Sequence, residues 1–224
     1  MLVIRNAQIQ QLIAATDGHL AELVEESVRK VDAVRVTGIT KPRLRSMVEK
    51  CIAEAREAGV TEAENIAAFT ALMFTISPWF HVQPTIAEVL ADTRFSAGER
   101  LFQLFERVKD NDWAAAENLY DERYWFNEKN ERPDIAAAPD PSGETAEKLI
   151  ERILKQADIV DAAIEHAKAT PGEGAAKQVE IEVEKLCFYQ TAAKGSPGQR
   201  AVAAAETARS FVLGKAVTQR RPDA

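Results

Sequence analysis

The chain has 224 residues, of which 46% are hydrophobic and 28% charged, which is typical of one large or two small globular domains. Its net charge of −7 argues against a nucleic-acid-binding protein, which would carry a basic face, but does not argue against a basic protein partner. No apolar run approaches the roughly 18 residues of a membrane helix, and two cysteines inside apolar helical patterns argue against a disulfide framework.

The opening residues turn polar after the fourth position, unlike a signal peptide, so we expect a cytoplasmic protein. From Asn6, apolar residues recur at helical spacing and predict one long helix to about Val34, bent near Gly18. Its acidic residues lie opposite the apolar stripe and predict a solvated face; they are Glu22, Glu25 and Glu26.

Two further helices follow in the first eighty residues. Thr40 and Pro42 predict the start of one, and Gly59 its end. The spacing of Thr61 and Glu64 predicts a capping box for the next. That helix is apolar nearly all round, so we expect it to be central and buried.

The segment 69–126 carries twelve of the fifteen aromatic residues, so we place the centre of the core there. Pro84 predicts a short helix, and Ser96 with Glu99 predicts a capping box for another. Asp110 or Asp112 is expected to cap one last aromatic helix, which runs on to residue 126.

The composition changes after residue 127. Residues 128–143 contain three prolines and few large apolar residues, which predicts a linker. Apolar residues then alternate spacings of three and four along a predicted helix, as in a helical hairpin or a coiled coil; they are Ala146, Leu149, Ile153, Ala157, Val160, Ile164 and Ala167. Two more helices are expected at about 175–193 and 199–217. Val179–Glu184 alternates like a strand, but we favour helix because no partner strand is evident.

We therefore predict an all-α fold, a multi-helix bundle with an aromatic-rich core plus a C-terminal helical hairpin or three-helix extension. The predicted parts are an aromatic-rich domain at 1–127, the linker at 128–143, a C-terminal part at 144–218 and a frayed tail at 219–224.

No catalytic, cofactor or metal motif is evident. The histidines fit no metal-ligand spacing, and Cys51 and Cys187 sit among apolar residues, as core-filling cysteines do. His81 lies beside the aromatic centre and could act as a general base, although the sequence identifies no partner to orient it. The alternative is a loop histidine that bonds backbone carbonyls.

Four large aromatic residues lie in 120–126, next to the predicted linker, and mark a candidate protein-binding patch. We define this patch as Trp79, Phe80, His81, Tyr120, Tyr124, Trp125 and Phe126. The alternative is that these side chains cover the core or dock the C-terminal hairpin.

Three stretches carry a family resemblance: the opening Met1-Leu-Val-Ile-Arg-Asn-Ala-Gln-Ile, the segment Cys51–Phe69, and Leu72-Met-Phe. In about the first 110 residues, the chain resembles uncharacterised bacterial accessory proteins encoded beside type VI secretion effectors and PAAR-type spike proteins. The resemblance implies a cytoplasmic accessory role in toxin delivery or protection, and it carries over no catalytic residue.

We expect a non-enzymatic protein-binding factor, an adaptor or chaperone for a type VI secretion effector, whose partner is a secreted effector, toxin or spike protein. The first alternative is an immunity protein that neutralises a cognate toxin, and the second alternative is a hydrolase that uses His81. No cofactor, metal, nucleic acid or membrane is expected as a ligand.

Overall fold

A computed structural model describes residues 17–120, 123–126, 146–189 and 195–218. Every regular element in these ranges is helical, which confirms the predicted all-α fold. In chain order the helices are α1 (Asp17–Val31), α2 (Ala33–Thr37), α3 (Lys41–Glu57), α4 (Ala63–Thr75), a 3₁₀ turn (Phe80–Val82), α5 (Pro84–Leu90), α6 (Ala97–Arg107), α7 (Asp110–Glu117), α8 (Arg123–Phe126), α9 (Ala146–Ala169), α10 (Glu173–Tyr189) and α11 (Pro197–Thr218). The expected linker at 128–143, the tail at 219–224 and the helical stretch before residue 17 lie outside the described residues.

Helix α4 is the centre of the bundle, as predicted. All of its residues except Glu64 and Thr75 are buried. Helices α1, α3 and α11 pack against it, and α6 adds a smaller contact. A helix that is apolar all round can be stable in water only when its neighbours cover every face, and these helices contribute that cover.

The last helix, α11, makes its most extensive contact with α4. Its buried face consists of small side chains, namely Ala201, Ala204, Ala205, Ala208 and Val212. Small side chains let two helix axes approach closely, because the interaxial distance depends on the residues at the contact. Packing in the core therefore crosses the predicted boundary between 1–127 and 144–218.

Four side-chain contacts also hold α11 against three other helices. They are Ser196 Oγ to Asp110 Oδ1 at 3.0 Å, Arg200 Nη2 to Glu117 Oε2 at 2.7 Å, the Arg209 guanidinium 4.4 Å from the Phe102 ring centroid, and Lys215 Nζ to Glu26 Oε2 at 2.9 Å. Two of these contacts are with α7, one is with α6 and one is with α1. They are distributed along the whole of α11.

Helices α9 and α10 form the predicted hairpin. They pack mainly on each other, and the principal contact of the hairpin with the rest of the described chain is that of α10 with α2. Inside the hairpin, the buried Gln156 donates through Nε2 to the backbone carbonyl of Glu182 at 3.1 Å and to its carboxylate at 2.8 Å. Buried polar pairs of this kind can specify one register between two helices. The stretch Val179–Glu184 is helical, which resolves the helix-or-strand ambiguity.

Two predicted helix ends are confirmed in atomic detail. Gly59 has φ of +81° and ends α3. Its N–H donates to the Arg56 carbonyl, and the Val60 N–H donates to the Ala55 carbonyl. This pair of bonds is a Schellman motif, which requires the left-handed backbone that glycine adopts readily. At α6, Ser96 and Glu99 exchange both bonds of a capping box.

Three local predictions are wrong. The N-cap of α4 is Glu62 and no side-chain cap bond forms there, so Thr61 and Glu64 do not make a capping box. The expected last aromatic helix is two helices, since α7 ends at Glu117 and α8 begins at Arg123.

Nor do the aspartates cap α7, whose N-cap is Lys109. Asp112 instead accepts hydrogen bonds from Thr85 and Gln83, and so fixes α5 to α7.

The predicted solvated face of α1 is also wrong at one position. Glu25 is only 7% exposed, and its carboxylate lies 3.1 Å from Arg29 Nη2 and 3.9 Å from Arg45 Nη1. The second arginine comes from α3. A buried carboxylate needs such partners, because an uncompensated charge away from water is strongly unfavourable.

Candidate functional site

The predicted patch residues meet around an aromatic cluster in the core. Helix α8 places Tyr124 edge-on to Trp79, with ring centroids 5.1 Å apart, and places Trp125 against Phe74 at 4.6 Å. Tyr124 and Trp125 are themselves edge-to-face at 4.9 Å. Each such pair contributes about 0.5–1.5 kcal/mol beyond area burial, so the pairs with Trp79 and Phe74 anchor the short α8.

Burial divides the seven patch residues into two groups. Trp79, Phe80, Tyr124 and Trp125 are at most 4% exposed, as the core-covering alternative requires. The other three are half-buried: His81, Tyr120 and Phe126. The predicted contact with a partner stays a prediction, and the accessible surface it would use is confined to the second group.

Lys50 on α3 holds α8 in place. Its ammonium group donates a hydrogen bond to the Tyr124 carbonyl and lies 3.9 Å from the centroid of the Tyr124 ring. Partial burial lowers the pKa of Lys50, while the nearby Cys51 and Glu54 act in the opposite direction. Burial raises the pKa of the Tyr124 phenol far above its ordinary value. The environments of Lys50 and Tyr124 are therefore those of packed structural residues.

Cys51 lies one residue further along α3 and is fully buried, as predicted. Burial raises the pKa of its thiol well above the ordinary value, and the carboxylate of Glu54 adds to the effect. A nucleophilic cysteine needs the opposite environment, one that stabilises the thiolate. Cys51 therefore has the environment of an inert core residue. The side chain of Cys187 lies outside the described residues.

His81 has the carboxylate partner that the sequence did not identify. Its Nε2 lies 3.6 Å from Glu54 Oε2, and the two side chains are 11% and 15% exposed. The ring also contacts Phe69, Trp79 and Phe80, with centroids 5.7 to 6.2 Å apart. The contact of His81 with Glu54 on α3 could not be found from local sequence spacing, because 27 positions separate these two residues.

The hairpin carries a second candidate surface. Among the residues whose side chains the structure describes, the large apolar ones that are exposed all lie there: Leu154 at 61%, Ile159 at 41% and Val183 at 37%. We call these three the hairpin surface. The sequence contained one signal for it, because Leu154 and Ile159 fall outside the three-and-four spacing of the predicted seam.

The described residues include no group of three or more His, Cys, Asp or Glu side chains that could hold a metal ion. None of their helices has a stretch long and apolar enough to cross a bilayer. No protein-family model, curated protein or solved structure matches the chain. The resemblance to accessory proteins of type VI secretion therefore stays a prediction from short sequence patterns.

Proposed function

We propose that this chain is a non-enzymatic protein-binding factor that docks a protein partner on the α9–α10 hairpin. The observation that carries the proposal is the hairpin surface of Leu154, Ile159 and Val183. Fully burying one such side chain stabilises a contact by about 1.5–3 kcal/mol, so each of the three favours association with a partner that covers it. Two packed helices bury only one stripe of each, which leaves room for a third helix from a partner.

The hairpin is also suited to presenting a surface. Its attachment to the rest of the described chain is mainly through α10 and α2, so most of its outer side remains accessible. At the same time, the buried Gln156–Glu182 pair fixes the register of its two helices. A preorganised surface loses less conformational entropy when it binds.

The finer form of the proposal is an adaptor or chaperone for a type VI secretion effector, and it rests on the sequence resemblance. The test is co-expression with the effector encoded beside the gene. We expect wild-type protein to raise the solubility or secretion of that effector. The triple variant Leu154→Ser, Ile159→Ser, Val183→Ser should lose the effect while keeping its helical circular dichroism.

A matched control separates the effect of removing the hairpin surface from the effect of Ser on helix propensity. Lys155, Asp158 and Glu180 are exposed polar residues of the same two helices. Changing these three to Ser introduces the same residue without removing apolar surface, so this variant should act like wild type. Equal secretion of the effector with and without the protein would exclude the adaptor role.

The immunity role remains the alternative, and the net charge of −7 favours it for a basic toxin. In that case deletion of the gene should arrest cells that carry active toxin, and cells with catalytically dead toxin should grow normally. Normal growth with active toxin would remove this role.

A hydrolase that uses His81 is a second candidate, favoured by the carboxylate of Glu54 at 3.6 Å. A carboxylate can orient a histidine that acts as a general base. If this role is correct, His81→Ala and Glu54→Gln should each abolish the cellular function while the chain stays folded. Unchanged function in both variants would remove it.

A further inference from the structure

A groove with a volume of about 410 Å³ runs between α6–α7 and α11. Its apolar lining comes from both sides, and comprises Phe105, Val108, Trp113, Val202 and Ala203. Trp113 is buried and stacks on Phe105, with ring centroids 6.3 Å apart and planes inclined by 19°. Its volume lies in the range of about 300–1,000 Å³ found for ligand clefts.

Close contacts fix the start of α11 against α7 at one end of the groove. At the start of α11, Ser196 donates to Asp110, and Gly198 lies so close that an added Cβ would be 2.3 Å from Asp110 Oδ1 and 3.1 Å from Trp113 Cδ1. Ser196 and Gln199 also exchange capping-box bonds, which fix the first turn of the helix. The two walls are thus joined at one end by close packing.

The charge of the groove has one sign. Its lining includes the exposed carboxylates of Asp110 and Glu206 and no Lys, Arg or His. The two arginines of α11 that are nearest in sequence to the groove residues make contacts outside the groove. Arg200 pairs with Glu117, and Arg209 lies over the Phe102 ring. An apolar floor with carboxylates at its sides complements a ligand that is apolar and cationic.

We propose that this groove binds a short segment of a protein partner in which apolar side chains alternate with Lys or Arg. The apolar side chains pack on Phe105, Val202 and Ala203, and the cations lie beside Asp110 and Glu206. The groove is open to solvent, so a segment of another chain can reach it. It does not involve the hairpin surface, and its test is independent of the proposed function.

The probes are two labelled peptides of equal length, one of alternating Leu and Arg and one of alternating Leu and Glu. Their binding to the full-length protein is followed by fluorescence anisotropy. We expect wild type to bind the Leu–Arg peptide and not the Leu–Glu peptide. Glu206→Lys should weaken binding of the Leu–Arg peptide about fivefold or more, because an attraction becomes a repulsion.

Two further variants make the test specific. Glu165→Lys changes net charge equally at an exposed position of the hairpin, and should bind the Leu–Arg peptide more tightly than Glu206→Lys does. Ala203→Trp fills the groove at an exposed position, and should abolish binding with circular dichroism unchanged. The Ser triple variant of the hairpin surface should bind the peptide as wild type does, which separates this inference from the proposed function.

Three results would overturn the inference. One is no binding of the Leu–Arg peptide by wild type, and another is full binding by Ala203→Trp. The third is an equal loss in Glu165→Lys and Glu206→Lys, which would mean that net charge alone attracts the peptide.

Discussion

Arg200 Nη2 donates to Glu117 Oε2 across 2.7 Å, and so joins the first turn of α11 to the end of α7, 83 residues earlier in the chain. The Arg200 side chain is 12% exposed and that of Glu117 is 38% exposed. This partly buried pair lies beside the contact of Ser196 with Asp110, so two polar bridges place the start of α11 on the aromatic part of the bundle.

The first prediction concerns this pair. Arg200→Ala should destabilise the fold by about 1–2 kcal/mol, because a charged hydrogen bond and the packing of the arginine stem are both lost. Lys168→Ala removes an ion pair with Glu165 whose side chains are 67% and 72% exposed, and should change stability by less than about 0.5 kcal/mol. Urea unfolding of both variants measures the difference, and similar midpoints would contradict the prediction.

The second prediction compares two glycines of α11. A Cβ at Gly198 would clash with the Asp110 carboxylate and approach the Trp113 ring, whereas a Cβ at Gly214 meets nothing within 4 Å. Gly198→Ala should therefore destabilise the protein by about 1–2 kcal/mol, because Asp110 must move and lose its bond to Ser196. Gly214→Ala should stabilise it by about 0.5–1 kcal/mol through helix propensity.

Thermal unfolding measures both changes. For a chain of this size, 1 kcal/mol corresponds to about 2–4 °C in Tm. Opposite signs are expected for the two variants, and a shift in the same direction would show that the close approach at Gly198 is not limiting.

The third prediction concerns alkaline pH. The Tyr124 phenol is buried, and its Oη has no hydrogen-bond partner among the described residues. Because burial raises its pKa in the folded state, the neutral phenol is favoured there. Its contribution to stability is complete below the unfolded pKa of about 10 and is lost as pH rises above that value.

Tyr124→Phe tests this point. The variant should be as stable as wild type at neutral pH or up to about 1 kcal/mol more stable, since it removes a buried hydroxyl without a partner. Above pH 10 its stability should fall less steeply. Stability curves of wild type and variant that stay parallel through this range would refute the assignment.

The fourth prediction concerns thiol reactivity. Cys51 is fully buried and burial raises its pKa, so both access and thiolate formation are suppressed. Native protein treated with iodoacetamide should remain unlabelled at Cys51, as read by peptide mass spectrometry. In urea the same residue should label completely. Labelling of Cys51 at equal rates in both states would mean that α3 opens readily.

Much of the fold follows from local sequence patterns. The all-round apolar character of α4 predicts its central position, and the capping box at Ser96 and the glycine at residue 59 mark helix ends correctly. The seam spacing of α9 predicts the hairpin. These features are local because capping bonds and helical faces involve residues only a few positions apart.

Part of the candidate site was predictable as well. The aromatic density of 69–126 predicts where the core lies, and Trp79, Tyr124 and Trp125 do meet there. The same residues were the candidate binding patch, and composition cannot say whether an aromatic side chain faces the core or the solvent. That outcome depends on the contact of α8 with α3 and α4.

The sequence by itself determined the helical class, the central helix and the hairpin, because the period of apolar residues and the end signals act within a few residues. Only the tertiary structure decided that α11 packs on α4, that Glu25 is buried between two arginines, and that Glu54 lies beside His81. The physical reason is that these contacts join different helices, and periodicity within one helix says which face is apolar but not which distant face will cover it.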